Sequence, residues 1–489
     1  MAKIPNLVKG NPLPGLSLLS QGKVRDTYGL PDYPDNLLPV ASDRISIFDH
    51  VLAALVEGKG AILTAMNVFW RAEVLKGFEH DLVAFGTGID KFLPEALRGR
   101  PELQARALVI RKLEMDPVER IVRGVLTGSS VEPYMETGMV CGHRLPPGLH
   151  DGSKLPFSIF TPTTKEEEGH DVHITADSVA EKYGVMPERI SLQAYTQAAE
   201  FAAGRGILLA DTKFEGVGSV IADEVLTPDS SRYWSIAAWI EAQKKGKLPQ
   251  AYDKEFVRTW GKEIGINKRD PKKPEDVAWV HDQIVPQDVL AQTTRLYRYI
   301  FWRLTGMMLE WFQKEKMDIA VEPPHRRIDV VLGSRHDLGQ VLDGVRLTNE
   351  DADIQVHVCS CHRNPDELRN YAKKVAQEGK VDVIVAGAGK AAQLPGVLKA
   401  YLVAEGALNI PVIGVGFTGL DEAANLAAAI SIEQLPGQPV ELDEDGRAYA
   451  GNNGMIVACE AAAKHEFLPR GIAAVSAEWN IELPARSDD

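Results

Sequence analysis

The stretch VDVIVAGAGKAAQLPG, Val381–Gly396, decides the fold of the carboxyl-terminal part of the chain. Its first half is a short, continuous apolar run, which is typical of a strand buried on both faces of a parallel sheet. Its second half is rich in glycine, as a backbone-mediated anion site at the start of a helix requires. We therefore predict a buried strand that leads through a ligand-binding loop into a helix.

Three further apolar runs repeat this pattern: IDVVLG at 328–333, DIQVHVCS at 353–360 and IPVIGVG at 410–416. Apolar residues at helical spacing, such as Leu368, Tyr371, Ala372 and Val375, lie between the runs. Buried strands separated by helices predict right-handed crossovers and a parallel sheet. Ligands of such sheets bind outside the carboxyl ends of the strands, where the glycine- and serine-rich loops of this region fall.

The segment VHVCSCHRNPDEL, at 356–368, places His357, Cys359, Cys361 and His362 within six positions. A closed zinc site needs a further ligand group, and the sequence has no second Cys/His cluster to supply one. We therefore favour small core residues for the two cysteines. Asn364 is a predicted helix N-cap, so His362 should lie in the loop at the mouth of the sheet.

A domain boundary is predicted near residue 320. A helical pattern over 285–316 predicts one long helix, and VEPPHRR at 321–327 cannot continue it because of its paired prolines. We assign domains to 1–318 and 327–489, joined by a linker at 319–326. A chain of 489 residues is also too long for one typical domain.

Composition limits the classes of function. The net charge of −14 argues against a nucleic-acid partner. The four cysteines are too few for a disulfide framework. With no apolar leader and no run of about 18 apolar residues, we expect a cytoplasmic, soluble protein without a membrane partner.

The segment GILLADTKFEGVGSVIADEVL, at 206–226, predicts a hairpin with Asp211, Lys213 and Glu215 on one face. A three-residue turn would place Asp223 opposite Asp211, and a four-residue turn would place Glu224 there. Either register gathers carboxylates around one lysine, and such carboxylates with phosphate oxygens can bind Mg²⁺.

Cationic side chains occur in three other segments of the first domain. Lys23 and Arg25 lie two apart beside a glycine turn, which suits contact with a polyphosphate. Arg123 lies inside the apolar run IVRGV, where burial requires an anionic partner. Asp229 and Arg232 belong to the polar turn of LTPDSSRYW.

The motifs GKVRDTY, SDRISIFD, IVRGVLTGS, FTPTTK, DTKFE and DEVLTPDSSRYW occur in this order between residues 15 and 312. Together they resemble the SAICAR synthetase family of purine biosynthesis. The resemblance implies an ATP-binding α+β domain that joins L-aspartate to carboxyaminoimidazole ribonucleotide, with ATP and Mg²⁺.

The same resemblance implies roles for individual residues. Those implied for ATP are Lys23, Arg25, Lys213 and Glu215, with Lys213 also offsetting phosphoryl charge during catalysis. Those implied for Mg²⁺ are Glu215 and Asp223. Those implied for the ribonucleotide are Arg123, Ser129, Asp229 and Arg232. Those implied for aspartate are Lys165 and Asp171.

The second domain carries GSRHDL, SCHRNPDE, AGAGKAAQLPG, PVIGV and IEQLPGQPV in order over 327–465. It resembles the aminoimidazole ribonucleotide carboxylase/mutase family, which implies a flavodoxin-like parallel-sheet α/β domain that forms homo-oligomers. The implied proton shuttle is His362. The resemblance also implies catalytic roles for Ser360 and Arg363, with Arg363 serving an anionic phosphate or carboxylate. It implies substrate binding by Ser334 and Asp337. Whether the reaction is that of the mutase or of the direct carboxylase stays open.

The two resemblances predict a bifunctional enzyme, because the second family makes the ribonucleotide that the first consumes. One alternative is a catalytically silent second domain that binds nucleotide or drives assembly, motivated by the unusual Lys390 and Gln393. Another is an unrelated ATP-dependent kinase in the first domain.

Overall fold

The computed structural model describes residues 13–164 and 172–472. The chain divides into two compact units, Met1–Pro323 and Pro324–Asp489. Within the described ranges, no helix has the length and apolar character needed to cross a membrane.

The first unit is an α+β assembly built on antiparallel strands. Its strands are β1 Ser17–Gln21, β2 Arg25–Gly29, β3 Asn36–Ala41, β4 Arg44–Ile47, β5 His50–Leu55, β6 Leu82–Phe85, β7 Leu108–Arg111, β8 Val118–Val125, β9 Met139–Val140, β10 His143–Arg144, β11 Lys154–Phe160, β12 Thr163–Thr164, β13 Ile207–Val217, β14 Val220–Ala222 and β15 Ser231–Ser235. One sheet has the order β1-β2-β3-β7-β6. The other has the order β11-β8-β13-β14, with β12 paired to β8 and β15 to β13.

Ten α-helices accompany these strands in the described part of the unit. They are α1 Lys59–Phe69, α2 Pro101–Gln104, α3 Val131–Thr137, α4 Ala176–Tyr183, α5 Met186–Ala203, α6 Ile236–Lys244, α7 Glu255–Glu263, α8 Pro274–His281, α9 Gln287–Thr305 and α10 Leu309–Lys316. The largest core cluster joins side chains of α1, α5, α9 and α10 to those of β8 and β13. Every residue of α1 is buried, so this helix lies at the centre of the unit.

The single long helix predicted over 285–316 is wrong. The chain forms α9 and α10 instead, because Gly306 takes a left-handed conformation (φ 74°) and ends α9. The N-cap at Thr175 follows the ordinary rule, since its side chain accepts a hydrogen bond from the backbone N–H of Ser178 at 3.1 Å.

The second unit is a parallel α/β sheet, which confirms the predicted fold class. Its elements are β16 Arg326–Leu332, α11 Leu342–Thr348, β17 Ala352–Val358, α12 Pro365–Glu378, β18 Val383–Ala388, α13 Leu394–Ala404, β19 Val412–Gly416, α14 Glu422–Glu433, β20 Tyr449–Ala450 and α15 Gly451–Lys464. The strand order is β17-β16-β18-β19-β20, and all four pairings are parallel. Helix α12 begins at Pro365 after Asn364, as predicted, and buries Leu368, Ala372 and Val375.

Strand β17 differs from its prediction as a buried strand. It lies at the sheet edge and pairs with β16 alone among the described strands. An edge strand is covered on fewer sides than a central one, and Val356 and Val358 are accordingly 41% and 44% exposed.

Candidate active site

The β13–β14 hairpin has a register that neither expected turn produces. Glu215 lies opposite Ala222 and Val217 opposite Val220, so the turn contains only Gly218 and Ser219. Gly218 has φ 52°, a conformation that tight two-residue turns require and glycine adopts readily. Both predicted registers are wrong, and Asp223 is not opposite Asp211. It follows the end of β14 with φ 60°, a strained backbone conformation for a residue with a side chain.

The carboxylates nevertheless gather around one lysine. Lys213 Nζ lies 2.7 Å from Glu119 Oε1 and 3.3 Å from Glu215 Oε1. Burial lowers the pKa of Lys213, but Glu215 and Glu119 outweigh it and hold that pKa above its ordinary value. Lys213 is therefore a fixed positive charge beside two carboxylates.

Arg25 contributes a second cation to this region, because its guanidinium is ion-paired with Asp223. Burial opposes the charge of Arg25, but Asp223 and Glu224 overcome it and raise the pKa of the guanidinium. The guanidinium of Arg71 donates a hydrogen bond to the backbone carbonyl of Asp223. Lys23 is about half exposed, and its Nζ lies 2.6 Å from Asp49 Oδ1.

Asp211 belongs to a different network, in which two arginines share it. Arg123 Nη1 lies 2.5 Å and Arg232 Nη1 3.0 Å from Asp211 Oδ2. The anionic partner that the sequence required for Arg123 is thus Asp211. Arg123 is only 3% exposed and also donates to Thr161 and Ser129, at 3.0 Å each. Arg123 also lines the smaller of the two cavities described below, so its contact with substrate stays a prediction. Of the two arginines that bind Asp211, Arg232 is the more accessible, with 21% of its side chain exposed.

Asp229 is held by partners that the sequence analysis missed. Lys59 Nζ lies 2.6 Å from its Oδ2, and Tyr297 donates a 2.5 Å hydrogen bond to its Oδ1. Burial opposes ionisation of Asp229, but Lys59 and then Lys254 outweigh it and keep the pKa of the carboxyl below its ordinary value. A signal for Lys59 existed, since it is the only charged residue of an otherwise uncharged helix and an unpaired ammonium there would be costly.

Some of these groups line two adjoining cavities of about 780 and 230 Å³, but Arg25, Glu215 and Asp223 are not among the lining residues. The residues that line both are Ser129, Lys213, Asp229, Arg232, Lys254 and Arg258. Four of these six are cationic, which suits an anionic substrate. Lys254 immediately precedes α7 and Arg258 lies within it, and the sequence analysis did not single them out. The other predicted residues in the wall of the larger cavity include Lys23, while Lys165 and Asp171 lie outside the described residues.

The carboxylates suit a magnesium ion only together with further oxygen ligands. Within residues 13–164 and 172–472, no group of three or more His, Cys, Asp or Glu side chains is arranged to hold a metal ion. Mg²⁺ commonly takes one or two carboxylates and completes its shell with phosphate oxygens and water. Glu215 and Asp223 both interact electrostatically with Lys213, and they supply the two carboxylates that such a magnesium site uses.

In the second unit, the first two predicted loops meet at the carboxyl edge of the sheet. Arg363, which follows β17, donates a 2.8 Å hydrogen bond to the carbonyl of Gly333, which follows β16. Burial raises the pKa of Asp337, and the nearby His336 and Arg363 partly offset this. Ser334 accepts from the backbone N–H of His336, and Ser360 accepts from that of Arg363. His362 is exposed and lies on the β17–α12 loop, between Ser360 and Arg363 in the sequence.

The cysteines and histidines of this segment have separate surroundings. Cys359 and Cys361 are partly buried and pack against the core below α12 and α13. His357 Nε2 instead lies 3.2 Å from Asp329 Oδ2 on the neighbouring strand. The four residues therefore do not act as one ligand set.

The geometry defines an α+β unit with a charged substrate cleft, followed by a parallel α/β unit with a loop site at its carboxyl edge. Comparison with known proteins agrees with this class. The SAICAR synthetase family model matches residues 18–273, and the AIR carboxylase model matches residues 327–477. The chain belongs to the SAICAR synthetase family, and its second unit carries an AIR carboxylase domain, so both predicted resemblances are confirmed.

Individual relatives cover the first unit. The chain is 43% identical to the phosphoribosylaminoimidazole-succinocarboxamide synthase of Rhodococcus erythropolis over 304 residues, which are 60% of this chain and 94% of that protein. It is 40% identical to the synthase of Thermodesulfovibrio yellowstonii over 62% of this chain and 99% of that protein. A solved SAICAR synthase of Saccharomyces cerevisiae, in complex with SAICAR, is 33% identical in sequence, with a TM-score of 0.52. The match covers 61% of this chain and 98% of that one.

Proposed function

We propose that this chain is a bifunctional enzyme of purine biosynthesis. Its first unit joins L-aspartate to carboxyaminoimidazole ribonucleotide at the expense of ATP, and its second unit makes that ribonucleotide from aminoimidazole ribonucleotide or its N-carboxy form. The observation that carries the ligase assignment is the cleft lined by Lys213 and Glu119 together with Arg232, Lys254 and Arg258.

The chemistry explains why one cleft needs both kinds of group. A carboxylate has no good leaving group, so its oxygen first attacks the γ-phosphorus of ATP, and ADP leaves. The amine of aspartate then attacks the acyl carbon, phosphate departs with the C–O electron pair, and the nitrogen loses a proton. Negative charge develops on the transferred phosphoryl group, and fixed cations nearby stabilise it without reorganisation.

The nucleotide end of the cleft is assigned to Lys23, Arg25, Lys213 and Glu215. Lys213 stabilises phosphoryl charge, because its neighbours keep it protonated. Glu215 and Asp223 would hold Mg²⁺, which when bound neutralises charge on the phosphate oxygens. Arg25, by its ion pair with Asp223, fixes that carboxylate.

The ribonucleotide end is assigned to Ser129, Asp229 and Arg232, with Lys254 and Arg258 added from the cavity wall. Arg123 is assigned to this end as well, because it lines the smaller cavity and donates to Ser129 and Asp211. Lys165 and Asp171 remain assigned to aspartate by the family resemblance alone.

In the second unit, His362 is assigned the proton transfers at the imidazole carbon that gains the carboxylate. Arg363 and Ser360 shape its loop, and Ser334 and Asp337 form the facing loop. The match of an AIR carboxylase model across this unit favours an active domain over a silent binding module.

We further assign the chain to the cytoplasm and expect the second unit to self-associate. Helix α14 supports self-association, because Leu426 and Ile430 lie one turn apart and are 62% and 43% exposed, while Leu420 just before it is fully exposed. Apolar patches of this kind mark protein contacts. Leu426→Glu with Ile430→Glu should lower the mass measured by light scattering, whereas Ile240→Glu, at a 44% exposed site of the first unit, should not.

The deciding test of the ligase is ADP release by the full chain. Release should require both aspartate and carboxyaminoimidazole ribonucleotide, with phosphate and SAICAR formed in equal amounts. ADP release that persists without aspartate, with phosphorylation of a hydroxyl acceptor, would instead identify a kinase. The second activity is tested by following the carboxylated ribonucleotide as it forms from its precursors.

A further inference from the structure

The turn between β1 and β2 is tight and borders the cleft. It consists of Gly22, Lys23 and Val24. The backbone N–H of Gly22 donates to the carbonyl of Arg25 at 2.7 Å, and a Cβ on Gly22 would lie only 2.9 Å from that oxygen. Lys23 and Val24 both line the larger cavity. The path of this turn therefore sets the point from which the Lys23 side chain enters the cleft.

The motif SDRISIFD, at 42–49, holds every backbone carbonyl of this turn. Arg44 Nη2 donates to the carbonyl of Gly22, and Arg44 Nε donates to that of Lys23, each at 3.2 Å. The carbonyl of Val24 accepts from Ser42, through the hydroxyl at 2.8 Å and the backbone N–H at 2.9 Å. The turn is thus bound to one short segment of the chain.

Asp26, on β2, fixes the orientation of the Arg44 guanidinium. Its Oδ1 accepts from Arg44 Nη2 at 2.7 Å, and its Oδ2 accepts from Arg44 Nη1 at 3.2 Å. Both side chains are buried, with 6% of Arg44 and 5% of Asp26 exposed. A two-bond pair of this kind fixes the plane of a guanidinium. Movement of the turn would break hydrogen bonds to a buried group, which is costly.

The other end of the same hairpin reaches the larger cavity. Phe48 and Asp49 form the turn between β4 and β5, with φ 49° and 63°. These values are strained for residues with side chains, and both residues line the cavity. Asp49 Oδ1 also lies 2.6 Å from Lys23 Nζ. The motif therefore contacts Lys23 twice, at its backbone through Arg44 and at its ammonium group through Asp49.

We propose that Arg44 is a positioning residue for the nucleotide end of the ligase cleft. By holding the carbonyls of Gly22 and Lys23, it keeps the Lys23 ammonium group in the place where it meets the phosphate groups of ATP. The inference rests on the proposed ligase function. It assigns to Arg44 no contact with ATP, because Arg44 lines neither of the two cavities.

The test measures initial rates of aspartate-dependent ADP release by full-length variants as ATP is varied. Arg44→Lys keeps a positive charge beside Asp26, but a single ammonium group cannot reproduce the planar set of donors that also reaches the turn. It should raise KM for ATP about 10-fold, with kcat and the KM values for both other substrates within about 2-fold of the wild type. A merely destabilised enzyme would instead lose kcat, because fewer molecules would be active.

Arg120 provides a matched control. It is 1% exposed, is ion-paired with Asp116 at 2.6 Å, and donates to the carbonyl of Gly218, in another glycine-containing turn, at 3.2 Å. It lines neither cavity. Arg120→Lys should therefore leave KM for ATP at the wild-type value.

Ser42→Ala tests the same support without disturbing a buried charge. It removes the hydroxyl that donates to Val24 and keeps the pair between Arg44 and Asp26. The backbone N–H of Ser42 still holds the Val24 carbonyl, so the rise in KM for ATP should be smaller, about 3-fold.

Four outcomes would overturn the inference alone: an unchanged KM for ATP in Arg44→Lys or in Ser42→Ala, an equal rise in Arg120→Lys, or a change confined to kcat. Absence of aspartate-dependent ADP release in the wild type would overturn the proposed function itself, and the inference with it.

Discussion

Replacing Lys59 by methionine should destabilise the first unit strongly. Lys59 is 0% exposed, its partner Asp229 has 5% of its side chain exposed, and their charged atoms are 2.6 Å apart. Methionine fills similar space but leaves the carboxylate buried without its nearest cation. Removing one partner of a buried pair typically costs about 3–5 kcal/mol. Tyr297 and Lys254 still face Asp229, so we expect the lower end, about 3 kcal/mol, or roughly a hundredfold in the folded-to-unfolded ratio.

Urea unfolding followed by tryptophan fluorescence measures this loss. The eight tryptophans fall in the first unit except Trp479, so the signal reports mainly on that unit. With an m-value of about 3 kcal/mol/M, the midpoint should fall by about 1 M.

Two further variants make the result interpretable. Lys244→Met removes an ion pair of the same 2.6 Å length, to Glu241, but one whose side chains are 64% and 60% exposed, and it should leave the midpoint unchanged within error. Lys59→Met combined with Asp229→Asn removes the buried charge and should recover much of the loss. If Lys59→Met behaved like Lys244→Met, or the double variant were no more stable than the single one, the assigned buried pairing would be refuted.

Three other predictions concern pH, metal dependence and the second unit. Burial raises the pKa of Asp253 from 3.8 to about 6, so the folded carboxyl binds its proton more tightly than the unfolded one and stability is lost as pH rises between these values. Asp253→Asn should gain up to about 3 kcal/mol over the wild type at pH 7 and almost nothing at pH 3, as measured by urea unfolding at both pH values; an equal gain at both would contradict this. Glu215→Gln should raise the Mg²⁺ concentration for half-maximal ADP release by about 10-fold or more, and an unchanged Mg²⁺ dependence would remove Glu215 from the metal site. His362→Asn should reduce formation of the carboxylated ribonucleotide by about 100-fold or more while leaving aspartate-dependent ADP release intact, and retained formation would count against His362 as the proton shuttle.

Much of the fold could be predicted because it depends on local patterns. The apolar runs of β16, β18 and β19 alternate with helical spacing, and that alternation permits few arrangements other than a parallel sheet. Helix α12 was predictable down to its first residue, because Pro365 and the acidic first turn act within a few positions of the chain. The motif order in both units likewise identified the two families.

Contacts between distant segments could not be predicted in this way. The two-residue turn at Gly218 set the β13–β14 register, and a shift of one residue moves every side chain to the opposite face of a strand. Asp211 is bound by Arg123 rather than facing Asp223, and Lys59 reaches Asp229 across 170 positions of sequence.

The sequence by itself determined most element types and the set of charged residues available for catalysis. Only the tertiary structure decided which cation neutralises which carboxylate, and hence which arginine stays exposed to the cleft. The physical reason is that burial makes an unpaired charge very costly, so each buried charge takes the partner that the packing of distant elements provides.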